Sequence, residues 1–504
     1  MRKNFWGMLT AFLSITILIT SCSYEDNPVE PVIPDSPNNL VDVVDDFWDV
    51  PGNAGNPAVV AALKSINNVT DLKPFMNYSL GQAYYFNYIQ QVDHNNPSAG
   101  TFKQQVVLTF VNENAPTILH TEGYALAGDV YKNHNRMDSI SAPHFLWALS
   151  DNYGKDEFSL NSVQVEYRYH GFSLPEGENN SFTYLNAEQQ SKDLHAIVTD
   201  LKQALLKGKW LSTGVSKNGM TSAQYAYYDE LNGWNDIDVY VPFVAPFPTR
   251  QWDPRIGTYM ITQSSKEVQS DLEKAYKKLV NDQTIADSTV AAFKKVYEAD
   301  RGIELSPDSA YLTMLENIFN NLFGVQSYGD FDTWKKFIPT EKSTTEEYVK
   351  FFMLTKDDNC IYRQTNAVRG PQAWREDPFE KQIAVDQGNR GLDYTWFLDG
   401  KLLTESDKQY LKDIMEQEKN STTIELEVNL LKNLTTTTKK LIFVYGEDDP
   451  WTGAAIPDPT NPNVKKYIVP HGSHTDELSQ YAWYPGGEEI AKKILADVKA
   501  ILNQ

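Results

Sequence analysis

Residues Lys209–Met220 read KWLSTGVSKNGM. Lys209–Gly214 reads as a short strand, and a helical pattern starts at Met220. Between them stands Gly214-Val215-Ser216-Lys217-Asn218-Gly219. A sharp strand–turn–helix elbow exposes a serine oxygen at the C-terminal edge of a sheet. The start of the helix then aims backbone amides and a positive dipole end at any negative charge developing there. A serine hydroxyl is a poor nucleophile at neutral pH and needs a base beside it. Ser216 therefore predicts partners elsewhere in the chain. Gly214 permits the crowded turn. The position two residues after the serine, where such elbows carry a second glycine, holds Asn218, with Gly219 one step further on.

Outward from the elbow, strands alternate with helices. Gln104–Phe110, Pro116–His120 and Val163–His170 read as strands. Ala187–Leu205 has helical spacing, with Leu194, Ile197, Val198, Leu201 and Leu205 on one stripe. Val239–Ala245 reads as a strand whose Pro242 hints at an edge or a bend. This alternation predicts a mainly parallel sheet with helices on both faces. From about Thr249 to Thr435 the texture is helical: Glu267–Asn281, Thr284–Asp300, Ser309–Leu322, Thr345–Leu354 and Glu405–Gln417. Strands return at Lys440–Tyr445 and Lys466–Val469, and Glu488–Leu502 closes the chain as an amphipathic helix. The expected organisation is an α/β domain (45–248 and 436–504) interrupted by a helical cap (249–435).

Two loops in the last sheet segment supply candidate partners. Val444–Trp451 (VYGEDDPW) ends an apolar strand with Glu447, Asp448 and Asp449. An acid in such a loop can orient an imidazole and stabilise its cation. Pro470–Thr475 (PHGSHT) follows the next strand with His471 and His474. The chain order serine, acid, histidine is that of α/β-hydrolases, and the cap accounts for the long gap between serine and acid. On spacing alone the three acids and the two histidines remain rivals. The oxyanion amides should come from Lys217, directly after the serine, and from Gly123 or Tyr124 in the loop Thr121-Glu122-Gly123-Tyr124. Glu122, beside that loop, is a candidate for holding a substrate ammonium group. His94, His144, His195, Arg168 and His170 read as structural, and Tyr84-Tyr85 and Tyr227-Tyr228 as core.

The rest of the chain bounds the function. Its 504 residues carry 67 acidic and 45 basic side chains, a formal net charge of −22. Nucleic acid, whose phosphates need a basic surface, is excluded as a partner. With 41% apolar residues the chain can bury a substantial core. Two cysteines build no disulfide framework, and no zinc pattern is present; neither metal nor organic cofactor is expected. Residues 1–22 read as a signal peptide, with Arg2 and Lys3 before an apolar run. The run ends Ile19-Thr20-Ser21-Cys22, the pattern of a bacterial lipobox. Cys22 would then be the lipid-attachment site and Cys360 a lone buried thiol. Residues 23–44, rich in proline and acids, read as a flexible tether. The only membrane contact expected is this anchor, on the bacterial cell envelope, and the sequence leaves the oligomeric state open.

Several stretches together resemble the bacterial secreted tripeptidyl aminopeptidases, serine peptidase family 37, and more distantly the prolyl carboxypeptidase and dipeptidyl peptidase group. They are the Gly-x-Ser elbow, Asp449-Pro450-Trp451-Thr452-Gly453, Gly472-Ser473-His474, and Thr121–Tyr124. Val92–Pro97, Gly100–Phe102, Val165–Tyr169, Asp193–His195 and Tyr240–Pro246 extend the likeness. The resemblance implies that the acid before Pro-Trp, Asp449, and the histidine after Gly-Ser, His474, complete a triad with Ser216. It also implies release of N-terminal tripeptides from peptide substrates. Asn218 departs from it, since the family has glycine there. A serine esterase on the same scaffold, or an inactive surface-binding lipoprotein, are the alternative expectations.

Overall fold

The structure, a computed structural model, describes residues 54–77, 81–123, 126, 160–170, 172–175, 182–250, 252–301, 304–327, 334–353, 355–356, 359–360, 389–390, 394–416, 422–474, 476, 478 and 480–503. The signal peptide with Cys22, the tether, Tyr124 and His144 lie outside them, as does the side chain of Cys360.

Nine strands form one sheet: β1 (Val69–Asn77), β2 (Gly81–Gln91), β3 (Thr101–Thr109), β4 (Thr117–Thr121), β5 (Asn161–Val165), β6 (Trp210–Val215), β7 (Val239–Phe243), β8 (Leu441–Gly446) and β9 (Val464–Val469). Their order is β1-β2-β3-β5-β4-β6-β7-β8-β9. The first three strands and β5 pair antiparallel, and every pairing from β5 to β9 is parallel. Placing β5 ahead of β4 puts the β6 elbow mid-sheet, which is the α/β-hydrolase arrangement. β1 and β2 have no counterpart in the strands expected from the sequence.

Alternating side chains serve two helical layers. Tyr84, Phe86, Val106, Leu108, Trp210, Tyr240 and Phe443 meet α1 (Pro57–Lys64), α2 (Ala187–Ala204) and α3 (Lys217–Asn232). Leu211, Val239, Val241, Ile442 and Val444 point the other way, onto the closing helix Gly487–Leu502. Pro242 is therefore not at an edge, since β7 lies between β6 and β8. Tyr240 and Val244 donate backbone bonds to Lys440 and Val444. Pro242, midway between them, has no N–H to give, and the chain bends just after it, where Val244 has φ +42°.

The cap is built from α4 (Pro254–Thr262), α5 (Lys266–Leu279), α6 (Gln283–Arg301), α7 (Pro307–Ser327), α8 (Thr345–Phe352) and α9 (Glu405–Met415). It has its own aromatic core. Tyr276 meets Phe319 edge-on at 5.2 Å, and Trp334 stacks on Phe351 at 4.3 Å. Leu430 of α10 (Thr422–Asn433), and Leu434 just after it, belong to the sheet's core. Helical periodicity says that a face is buried, but not against what.

The expected strand Val163–His170 stops at Val165. The buried carboxylate of Glu166 accepts from the amides of Leu126, Phe172 and Ser173, which folds the chain back on itself. Arg168, fully buried, donates to both oxygens of Asp193 at 2.8 and 2.9 Å and to the carbonyls of Gln91, Val92 and Tyr184. His94 adds a bond to Asp193, and His195 one to Asp236. These side chains are structural, as the sequence implied.

Candidate active site

Ser216 stands between β6 and α3 as the helix's N-cap, with φ +58° and ψ −124°. A non-glycine residue in that region is strained. Its amide donates to Phe243 O at 2.9 Å, and its carbonyl accepts from Met220 N at 2.9 Å. The helix thus begins at Lys217, earlier than the apolar pattern indicated. Two glycines make the turn possible. A Cβ on Gly214 would fall 2.5 Å from the Asn218 carbonyl, and one on Gly219 2.7 Å from Phe243 O.

The three chain segments converge here. His474 Nε2 lies 2.8 Å from Ser216 Oγ, and its Nδ1 2.7 Å from Asp449 Oδ2. Asp449 is fully buried; its Oδ1 accepts from Trp451 N at 3.0 Å. It is thereby held at the end of β8 as the cap of the short turn Pro450–Ala454. The rivals pair with each other instead. His471 Nδ1 lies 3.4 Å from Asp448, and its amide donates to Glu447. Glu447, Asp448 and His471 also lie close enough together for a metal, but His471 and Asp448 are well exposed at 58% and 40%, and the serine chemistry needs no ion.

The loop that carries His474 is tied down by a residue the sequence reading missed. Asp476 accepts from Ser473 N at 2.5 Å and from Tyr484 Oη at 2.7 Å. The signal was present: Ser473-x-x-Asp476 has the spacing by which an acid reaches back to the amide three residues earlier. The cap is seated on the acid's loop. Tyr259 of α4 donates to Glu447 O at 2.9 Å, and Ala454 is part of the cap's core.

The amide-donating loop differs from expectation. Gly123 N donates to Asn218 Oδ1 at 2.6 Å, so it is turned toward the elbow and not toward an oxyanion. Lys217, the other expected donor, opens α3 and is buried. Its Nζ lies 4.7 Å over the Tyr167 ring. Glu122 is buried too, with Oε1 3.1 Å from His120 Nδ1 and Oε2 accepting from Asn218 Nδ2 at 2.7 Å. Both its oxygens therefore have protein partners. His170 is no rival base: burial, helped by the Lys217 charge, pushes its pKa down to about 3.

Residues 59–301 match the family model of the PS-10 peptidases S37. The prolyl tri/tetrapeptidyl aminopeptidase of Streptomyces mobaraensis is 23% identical over 420 residues, covering 81% of this chain and 78% of that protein. Among solved structures, a proline iminopeptidase of Mycobacterium smegmatis aligns over 82% of this chain and 98% of its own, with 14% identity and a TM-score of 0.37. The esterase LipA of Xanthomonas oryzae aligns over 86% and 93%, with 10% identity and a TM-score of 0.31.

Proposed function

We propose that the chain is a serine peptidase of the family that its residues 59–301 match, and that it removes short N-terminal fragments, tripeptides, from peptide substrates through an acyl-enzyme on Ser216. The carrying observation is the unbroken hydrogen-bonded line Ser216–His474–Asp449. His474 Nε2 takes the hydroxyl proton as Ser216 Oγ attacks the scissile carbonyl. Asp449 holds Nδ1–H and stabilises the imidazolium. The same proton passes to the leaving amine, and water then releases the fragment by the reverse sequence. With Gly123 N committed to Asn218, the Lys217 amide and the Tyr124 amide stabilise the oxyanion; losing one such donor costs ~10²–10³ in rate. The cap, seated on the loop of Asp449, walls the cleft so that only peptide ends enter. The tripeptide register is supported by the relative's tri- and tetrapeptide release.

The envelope location belongs to the same reading. A lipid on Cys22 and the tether of residues 23–44 would hold the peptidase at a membrane surface, where it meets peptides.

The decisive experiment incubates residues 23–504 with a free-ended peptide and its N-acetylated twin, with Ser216→Ala as blank, and follows products by mass. Loss of an N-terminal fragment from the free peptide alone is expected, and the fragment mass gives the register. Equal cleavage of both sinks the aminopeptidase reading. No cleavage of either, with turnover of a short acyl ester, leaves the esterase.

A further inference from the structure

Asn218 does more than fill the place of a glycine. Its side-chain amide has one acceptor and one donor face, and both are used on consecutive residues of the loop after β4. Oδ1 accepts from Gly123 N at 2.6 Å, and Nδ2 donates to Glu122 Oε2 at 2.7 Å. A third tie runs the other way: Thr121 Oγ1 donates to Asn218 O at 2.7 Å. The last residue of β4 and the two loop residues after it are thus bound to the one residue that follows Lys217. The fit is close as well. A Cβ on Gly123 would fall 2.6 Å from Lys217 Cγ and 2.9 Å from Asn218 Oδ1.

The arrangement has a chemical consequence. An oxyanion hole needs amides from two separate chain segments held at constant spacing. Here one segment is the elbow and the other is the loop after β4, whose Gly123 amide is itself bound to Asn218. We propose that Asn218 is a positioning residue that latches this loop to the nucleophile elbow, with Glu122 as its anchor. The latch sets the spacing of the oxyanion donors. The inference rests on the serine-hydrolase reading given above.

The amide's two-faced bonding makes the latch testable by exchange of partners. Asn218→Asp keeps an acceptor for Gly123 N but sets a carboxylate against Glu122. Misplacement of this kind lowers rate by ~10–10², so kcat falls by that amount while KM for the peptide stays within about twofold. Adding Glu122→Gln restores a donor–acceptor pair with its direction reversed, and kcat returns to within about threefold of the wild type. Asn218→Gly, which installs the glycine of the resemblance, lowers kcat instead of raising it. A wild-type kcat in Asn218→Asp, a double variant as impaired as the single one, or a faster Asn218→Gly each overturns the latch. Hydrogen–deuterium exchange gives a readout independent of turnover. The Gly123 amide should exchange at least about tenfold faster in Asn218→Gly, within the range local opening allows; unchanged protection refutes the latch even if every variant is inactive. Wild-type protein that neither reacts with a fluorophosphonate nor cleaves peptide or ester would defeat the hydrolase reading separately.

Discussion

Asp449→Asn tests the triad at the atom that decides it. Asp449 Oδ1 accepts from Trp451 N at 3.0 Å and Oδ2 faces His474 Nδ1 at 2.7 Å. An asparagine in this place must give its carbonyl to Trp451 N–H, because two N–H groups cannot face each other. Its NH2 is then presented to His474 Nδ1. That nitrogen becomes an acceptor, and the ring's proton moves to Nε2, the atom 2.8 Å from Ser216 Oγ. The base is now occupied. A wrong tautomer of this kind costs ~10⁴ in kcat, about 5–6 kcal/mol at roughly 1.4 kcal/mol per tenfold. KM should change little, since the imidazole does not carry substrate binding. The assay is steady-state cleavage of a tripeptidyl-anilide, with the rate of fluorophosphonate labelling of Ser216 falling in parallel. Asp448→Asn is the control: its carboxylate lies against exposed His471, and its kcat should stay within about threefold, as an exposed ion pair is worth little. A loss below about tenfold in Asp449→Asn, or an equal loss in both variants, refutes the assignment.

Gly214→Ala forces a Cβ to within 2.5 Å of the Asn218 carbonyl, so the elbow must open; kcat should fall by ~10² with Ser216 still present. Arg168→Met strips Asp193 of its buried bidentate partner and should cost ~3–5 kcal/mol in urea unfolding. Glu427, fully buried with Gln224 Nε2 on one oxygen and no partner on the other, has its pKa pushed up to about 8 by burial. The folded state therefore holds a proton that the unfolded chain releases near its ordinary pKa of 4.5. Stability falls as pH rises from there to about 8, by at most about 1.4 kcal/mol per pH unit. Glu427→Gln removes that slope, so its gain in Tm over the wild type should be larger at pH 8 than at pH 5; an equal gain at both refutes the charge explanation.

Much of the fold was legible because the central strands are apolar and short. Lys440–Tyr445 and Lys209–Gly214 were found within a residue or two of β8 and β6. The antiparallel β1 and β2 were missed although β2 reads GQAYYFNYIQQ. Tyr84 and Tyr85 were expected in the core, and both are buried there. A buried tyrosine pair fits a helix as well as a strand, so the pair alone does not mark β2. Of the edge or bend that Pro242 suggests, the structure has only the bend. A proline in a strand costs one ladder bond, and β7 tolerates that loss mid-sheet because Tyr240 and Val244 keep the bonds on either side.

The site shows where spacing stops being informative. Two histidines and three acids in adjacent loops allow several pairings, and pattern alone cannot choose between them. Geometry separates them by burial. Asp449 and His474 are inside with the serine, while Asp448 and His471 form an outer pair. The resemblance chose the same inner pair, because Pro450 and Trp451 close the turn that Asp449 caps. Asn218 runs the other way. Against a motif it counts as a defect, since its side chain intrudes where glycine leaves space. Against the neighbouring loop it is a two-faced connector whose acceptor reaches Gly123 and whose donor reaches Glu122. A motif records which residues stand near the nucleophile in sequence. The loop after β4 is 95 residues away in sequence from the amide that binds it, and no local pattern carries that information. The substitution and Glu122 therefore have to be read together, as one hydrogen-bonded unit, before either can be judged harmful or useful.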